Sequence, residues 1–435
     1  MRTPRLAPAL LAALLLAGCT APAGSGSTAS AEVAPAAESA ETAKEAAATA
    51  STEPLRKMQN GDEAQYYTQQ STPSGLLVYH VVDLTTGEST IPCDVAGCTH
   101  NSESCPAVST VVPAYQPLVL DDSTLVVIST TTDFSQVGVS SPNPDGSVPL
   151  SYHSKILLMD RDCQNRRILT ELDGVNLFWD SSQIYTDGDF LYCYGYGTGS
   201  NVHNIYRINL SDGTTTNLTE SFQNFLFMMG AMGRNIVFQQ EEVASDSQAD
   251  AINTKSHILL NVDTGETRLL KSYSSDKQDL ECLYTAVLSG QYYAIDSAAG
   301  ILSTIDPDTG EERQITDQLP TADSSTYYQP EAVIDGWIIF YKVPVIVNVE
   351  TGEVRQRIDL PENYWNGYGH QPSIYLQLQD RLLVDCRYEP YTRTGIGTDG
   401  TPYTINTERT YLGLISAEDY LNGVPNYTEV GEYIA

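Results

Sequence analysis

Asp308-Thr309-Gly310-Glu311 is the stretch on which the reading of this chain turns. It separates two short β-rich runs. The same turn recurs as Asp83-Leu84-Thr85-Thr86-Gly87-Glu88, Asp212-Gly213, Asp263-Thr264-Gly265-Glu266 and Glu350-Thr351-Gly352-Glu353, with a degenerate copy at Asp160-Arg161-Asp162-Cys163. From Gly213 onward the glycines follow one another at 52, 45 and 42 residues. Asp or Thr followed by Gly supplies the positive φ that a tight hairpin needs.

Upstream of most copies lies a second hairpin with alternating flanks, as in Gln183 to Tyr192 around Asp187-Gly188, Glu331 to Phe340 around Asp335-Gly336, and Leu118 to Val127 around Asp121. Each unit therefore reads as four strands, A to D, with tight A–B and C–D turns, and helical periodicity is almost absent. Four-stranded units repeating at 40 to 50 residues predict an all-β fold, a β-propeller of seven blades over residues 55–435, with six or eight the alternatives. The seventh C–D turn is expected near Ser416-Ala417-Glu418-Asp419. Blade one lacks an obvious strand A, and the C-terminal Glu432-Tyr433-Ile434 is the expected substitute, closing the ring so that no edge stays open.

The Asp-Thr-Gly blade pattern resembles the TolB-like and quinoprotein-like propeller superfamilies, although the tryptophan-docking signature of quinoprotein repeats is missing. The whole layout resembles lipoproteins of gut Firmicutes that pair such a propeller with a Cys-rich motif. That resemblance carries a fold, and no activity.

The N-terminus explains the word lipoprotein. Arg2 and Arg5 precede an Ala/Leu/Pro stretch from Leu6 to Leu16, then Leu16-Ala17-Gly18-Cys19. This is the layout of a secretory signal over residues 1–18. Small residues before a Cys resemble the bacterial lipobox, which implies that Cys19 becomes an acylated N-terminus anchoring the chain on the outer face of the cell membrane. Residues 19–54 read as a disordered linker: 13 of the 35 residues after Cys19 are Ala, and none is aromatic. The formal net charge of −32, from 23 Lys and Arg against 55 Asp and Glu, argues against nucleic acid as a partner.

Strand alternation puts the A–B and C–D turns on one rim and the B–C and D–A loops on the other. The second rim carries most long insertions: Thr131–Tyr152, Gly195–Val202, Gln240–Thr254 and Tyr388–Arg409 between B and C, and Asp94–Gln116 and Pro361–Pro372 between D and A. Long loops on one face of a rigid scaffold are where binding functions sit. Tyr364, Trp365, Tyr368 and His370, joined by Tyr388, Tyr391 and Tyr403, are the expected ligand-binding side chains, with aromatic faces suited to sugar rings or extended peptide.

Cys93-x4-Cys98-x-His100-x4-Cys105 falls at the end of strand D of blade one and in the following loop. Three thiols and an imidazole within 13 residues allow Cys3His coordination of zinc. A disulfide, favoured in exported chains, and free thiols are the alternatives. Cys163 is expected on the opposite rim, and Cys193 and Cys386 as buried members of B strands. His153, His203 and His257 begin successive C strands, too far apart to share one ion. No linear catalytic motif is present. The expected function is thus a membrane-anchored binding module for a glycan, peptide or envelope protein. A propeller-class glycan lyase or hydrolase, or a structural subunit of an envelope complex, is the alternative.

Overall fold

The structure, a computed structural model, describes residues 53–72, 76–109, 116–133, 151–178, 184–197, 203–222, 226–243, 252–273, 282–321, 328–341, 343–358, 360, 372–396 and 401–434. The signal segment, Cys19 and nearly all of the linker lie outside the described residues, as do Tyr364, Trp365, Tyr368 and His370. No helix among the described residues is long and apolar enough to cross a membrane.

Seven antiparallel sheets follow one another along the chain as seven blades. Blade one has three strands, β2 (Gln65–Ser71), β3 (Leu77–Asp83) and β4 (Ser89–Thr90). Blade two is β5 (Leu118–Val119), β6 (Thr124–Asp133), β7 (Ser151–Asp160) and β8 (Arg167–Asp173). Blade three is β10 (Ile184–Thr186), β11 (Phe190–Gly197), β12 (His203–Asn209) and β13 (Thr215–Asn217), joined by β1 (Arg56–Lys57) and β9 (Val175–Leu177). Blades four and five are β14 (Leu226–Met232) to β17 (Thr267–Tyr273) and β18 (Leu283–Leu288) to β21 (Glu312–Thr316). Blade six runs from β22 (Gln329–Ile334) to β25 (Val354–Gln356). Blade seven is β26 (Ile374–Gln377), β27 (Arg381–Ile396), β28 (Pro402–Ser416) and β29 (Thr428–Ile434).

All seven expected C–D turns join the last two strands of a blade. The last contains a short helix, α1 (Ala417–Leu421), capped by Ser416 Oγ accepting from Asp419 N at 3.0 Å. Five of the turns share a feature beyond Asp-Thr-Gly. An Asx residue four positions before the glycine, at Asp83, Asn209, Asn261, Asp306 and Asn348, accepts backbone N–H groups of the turn, as Asp306 Oδ1 does from Asp308 N and Thr309 N at 2.9 and 2.8 Å. Such local side-chain acceptors favour turns over continued strand.

Every pair of neighbouring blades buries an apolar cluster of its own, seven in all. The one between blades seven and one holds Tyr66, Val82, Leu376, Leu412 and Val430, so the ring closes by packing. The C-terminus does not supply strand A of blade one. After α1 the chain turns back along β28, in register from Leu414↔Thr428 to Arg409↔Ile434, and β29 becomes the outermost strand of blade seven.

The inner edge of blade one is met by a strap at the end of the expected linker. Leu55 N donates to Gly233 O of blade four at 2.8 Å. Arg56 and Lys57 pair with β10 of blade three, Gln59 bridges to Val119 of blade two, and Gly61 bridges to Tyr66 of blade one. Met58 at its centre is fully buried in the core between blades two and three. Arg234 fixes the entry, donating to Glu53 O and to Asp187 Oδ2 at 2.8 and 2.9 Å and pairing with Asp263.

The B–C insertions of blades seven and two are, where described, hairpin arms more than loops. In blade seven the pairing of β27 with β28 continues from Arg387↔Tyr411 out to Ile396↔Pro402, and in blade two that of β6 with β7 reaches Asp133↔Ser151.

Candidate metal centre and central channel

The cysteine motif is an excursion from within strand D of blade one. β4 pairs with β3 at Val82↔Ser89 and Val81↔Thr90 and then leaves. The chain returns at Ala107, whose carbonyl accepts from Tyr79 N at 2.8 Å, and Ser109 N donates to Leu77 O. Turns at Cys98 N→Val95 O (3.1 Å) and Cys105 N→Ser102 O (3.0 Å), with positive φ at Gly97 and His100, fold residues 91–106 onto themselves.

The outcome is a cluster in which Cys93 Sγ, Cys98 Sγ, Cys105 Sγ and a ring nitrogen of His100 all lie within 4.8 Å of one another. His100 Nδ1 is 3.3 Å from Cys105 Sγ, and His100 N donates to Cys98 Sγ at 3.5 Å. That N–H is the main cause of a lowered Cys98 thiol pKa. Burial pushes Cys105 up to about 11. Ligands of tetrahedral zinc, at about 2.3 Å for sulfur and about 2.0 Å for nitrogen, sit about 3.5 to 3.8 Å from each other, so this donor set fits the ion. All seven described cysteines are free thiols.

The excursion leaves strand D just past its C–D turn, which places it near the tight-turn rim and not, as expected, in the loops of the opposite one. It docks on the C–D turn of blade two: Gln164 Nε2 donates to Asp94 Oδ1 at 3.2 Å, and Arg166 Nη1 to Val108 O at 2.5 Å. Cys163 belongs to that same turn, buried, and therefore neighbours the motif. Cys193 and Cys386 are buried in B strands as expected. The three histidines have separate partners: Asp173 for His153, Tyr194 for His203, and Tyr292 with Gln239 for His257.

The innermost strands of blades four to seven, with the strap and Tyr185, enclose a central channel of about 960 Å³. Nothing in the sequence singled it out, because each of these four strands contributes only four or five residues to its wall. Three of those strands, β14, β22 and β26, carry a β-bulge. The residues skipped by the pairing are Met229, Glu331 and Tyr375, and each lines the channel.

Behind Glu331, buried polar groups sit at the seam of blades six and seven. Asp385, 2% exposed, accepts from Ser373 N at 2.6 Å and from the Tyr388 hydroxyl. Arg357 Nη1 donates to Phe340 O at 2.9 Å, and Tyr420 Oη to Pro372 O at 3.2 Å. Burial raises the pKa of both Glu331 and Asp385. On Glu331, Arg357 and Asp385 act in opposite directions.

Of the expected ligand-binding residues, Tyr388, Tyr391 and Tyr403 are described, Tyr403 being exposed far out on the arm opposite Gly395. Tyr388 and Tyr391, three positions apart on a paired strand, point to opposite faces of the β27–β28 arm. Tyr388 is held by Asp385, whereas Tyr391 carries the Arg409 guanidinium 5.0 Å above its ring. The structure does not bring these two together.

No protein-family model and no curated protein matches the chain. Among solved structures, the β-propeller domain of the Trilobed protease from Pyrococcus furiosus is similar over 88% of this chain and 99% of that one, at 10% identity and a TM-score of 0.45. TolB from Acinetobacter baumannii is similar over 86% and 65%, at 11% identity and a TM-score of 0.33. A puromycin hydrolase is similar over 83% and 58%, at 11% identity and a TM-score of 0.41, so the chain spans little more than half of that enzyme. These are likenesses of architecture only.

Proposed function

We propose that this protein is a ligand-binding module tethered to the outer face of the cell membrane through Cys19, with its ligand seat in the central channel and at the rim of the hairpin arms. The channel carries the reading. A cavity of about 960 Å³ falls in the range of small-molecule and peptide-end sites, and its wall mixes apolar, hydroxyl, amide and charged groups. It is set in a ring whose seven interblade cores hold it rigid. In this reading the loop carrying Tyr364, Trp365, Tyr368 and His370 supplies further contacts, and the partner is a glycan, a peptide or an envelope protein.

The cysteine cluster is a structural zinc site in the same reading. Four protein ligands leave no open position for a substrate, and they tie down an irregular excursion that interrupts strand D.

The decisive test uses the full chain in detergent on glycan and peptide arrays. Gln329→Trp, at an exposed position on the channel wall, removes binding that the native chain has. Undiminished binding by that variant overturns the channel as the seat. The tether is tested by Cys19→Ala, which moves the chain from the detergent phase to the aqueous phase on partition.

A propeller-class lyase or hydrolase is the second reading, supported by the raised pKa values of Glu331 and Asp385. Turnover of a polysaccharide by the native chain, abolished in Glu331→Gln, establishes it.

A further inference from the structure

Resting on the channel as the binding seat, we propose that its ligand carries an organic ammonium group, received by Glu331, Met229 and Tyr375. A β-bulge inserts an extra residue into a strand, leaves it unpaired and re-aims its side chain, and bulges are enriched beside functional sites. Here three bulges occur in the innermost strands of blades four, six and seven, and all three extra residues line one cavity. Coincidence of that kind is not needed to close a propeller. Blades two, three and five pair their innermost strands without such a shift.

The chemistry of the three side chains is specific. A carboxylate supplies the counter-charge, a tyrosine ring attracts a cation through its π face, and a thioether is a polarisable apolar neighbour. The Glu331 carboxylate takes no hydrogen bond from a described residue, and the charges of Arg357 and Asp385 behind it oppose each other. A cation entering the channel therefore meets an acid that burial desolvates and that takes no hydrogen bond from a described residue. The chain's net charge of −32 draws cations toward it over longer range. Lys57 on the strap is the other charged residue of the described wall.

The experiment is calorimetric titration of the full chain in detergent with tetramethylammonium and with 1,4-diaminobutane, at an ionic strength of about 0.15 M to screen surface charge. Saturable binding is expected. Glu331→Gln, close in shape and without the charge, weakens it at least about tenfold, as loss of a partly desolvated counter-ion implies. Glu350→Gln, at an exposed turn away from the channel, leaves it unchanged. Tyr375→Leu, which keeps an apolar side chain and removes the ring, weakens the tetramethylammonium titration. Equal binding by native chain and Glu331→Gln, no binding of either probe, or an equal loss in Glu350→Gln overturns the inference. If at the same time a neutral or anionic array ligand is lost in Gln329→Trp, the channel remains a binding seat and only the ammonium chemistry falls. If Gln329→Trp changes nothing, the seat itself falls.

Discussion

Nδ1 of His100 lies 3.3 Å from Sγ of Cys105, although no sequence-local element joins them beyond the turn at Ser102. Two further sulfurs converge on the same point. A disulfide needs two sulfurs and gains nothing from an imidazole and a third thiol at that spot, whereas a tetrahedral ion uses all four. Purified chain is therefore expected to hold about one zinc. Cys98→Ser holds little or none. Removing the metal with a chelator exposes residues 91–106 to proteolysis, while the seven interblade cores keep the ring folded. Elemental analysis and limited proteolysis read both outcomes, and metal-free chain with a resistant loop contradicts them.

Gly352 and Gly310 occupy the same position of the same turn, at φ of 74° and 73°. Their surroundings differ. A Cβ on Gly352 would stand 2.2 Å from Ile315 O of the preceding blade, and one on Gly310 would meet nothing within 4 Å. Gly310→Ala is expected to cost about 1 kcal/mol from backbone strain alone. Gly352→Ala adds displacement of a neighbouring strand D and costs at least about 1 kcal/mol more. Urea unfolding of the two variants measures the difference, and equal costs refute the close-packed role of this turn.

His257 is fully buried, with Nδ1 2.5 Å from Tyr292 Oη and Nε2 3.2 Å from Gln239 Oε1. Burial, helped by Lys255, pushes its pKa down to about 3. An unfolded chain has that imidazole at about 6.5, so on acidification the unfolded state takes up the proton first. The stability His257 holds above pH 6.5 is lost as pH falls from there toward 3. Between pH 7 and pH 5 the loss is at most about 2 kcal/mol. His257→Gln, which retains a hydrogen-bonding side chain, flattens that segment of the stability profile. Urea midpoints at the two pH values decide, and an unchanged slope rules out His257 as a source of acid sensitivity.

The repeat was legible because each blade carries its own punctuation. Asp212-Gly213, Asp263 to Glu266, Asp308 to Glu311 and Glu350 to Glu353 all mark C–D turns, and even the degenerate Asp160 to Cys163 does so. Local chemistry sets such turns, so a local reading finds them. What the sequence hid is non-local. Arg56-Lys57-Met58-Gln59 has too few residues to declare a strand, and it is ordered by the edges of β10 and β5, more than 120 positions and 60 positions away respectively. The rim of the cysteine motif was misjudged because strand D resumes only at Ala107, after a gap that reads as its end. The channel was invisible for the same reason: Met229, Glu331 and Tyr375 share no spacing, and only ring closure unites them.

Met58 ties the expected linker to the ring. Its side chain is fully buried among Leu118, Val126, Leu177 and Ile184, and its N–H donates to Ile184 O at 2.8 Å. Truncating a buried Met in such a core costs about 2 to 5 kcal/mol, so Met58→Ala is expected to destabilise the chain within that range. Arg234→Gln, which loosens the strap at its entry without touching a core, costs less but frees the same segment. Both variants should bring protease cleavage into residues 53–61, and in both the channel wall formed by Pro54, Leu55, Lys57 and Gln59 is lost. A strap that stays protected in Met58→Ala would mean that its pairing with β10 alone holds it, leaving the apolar anchor without a role.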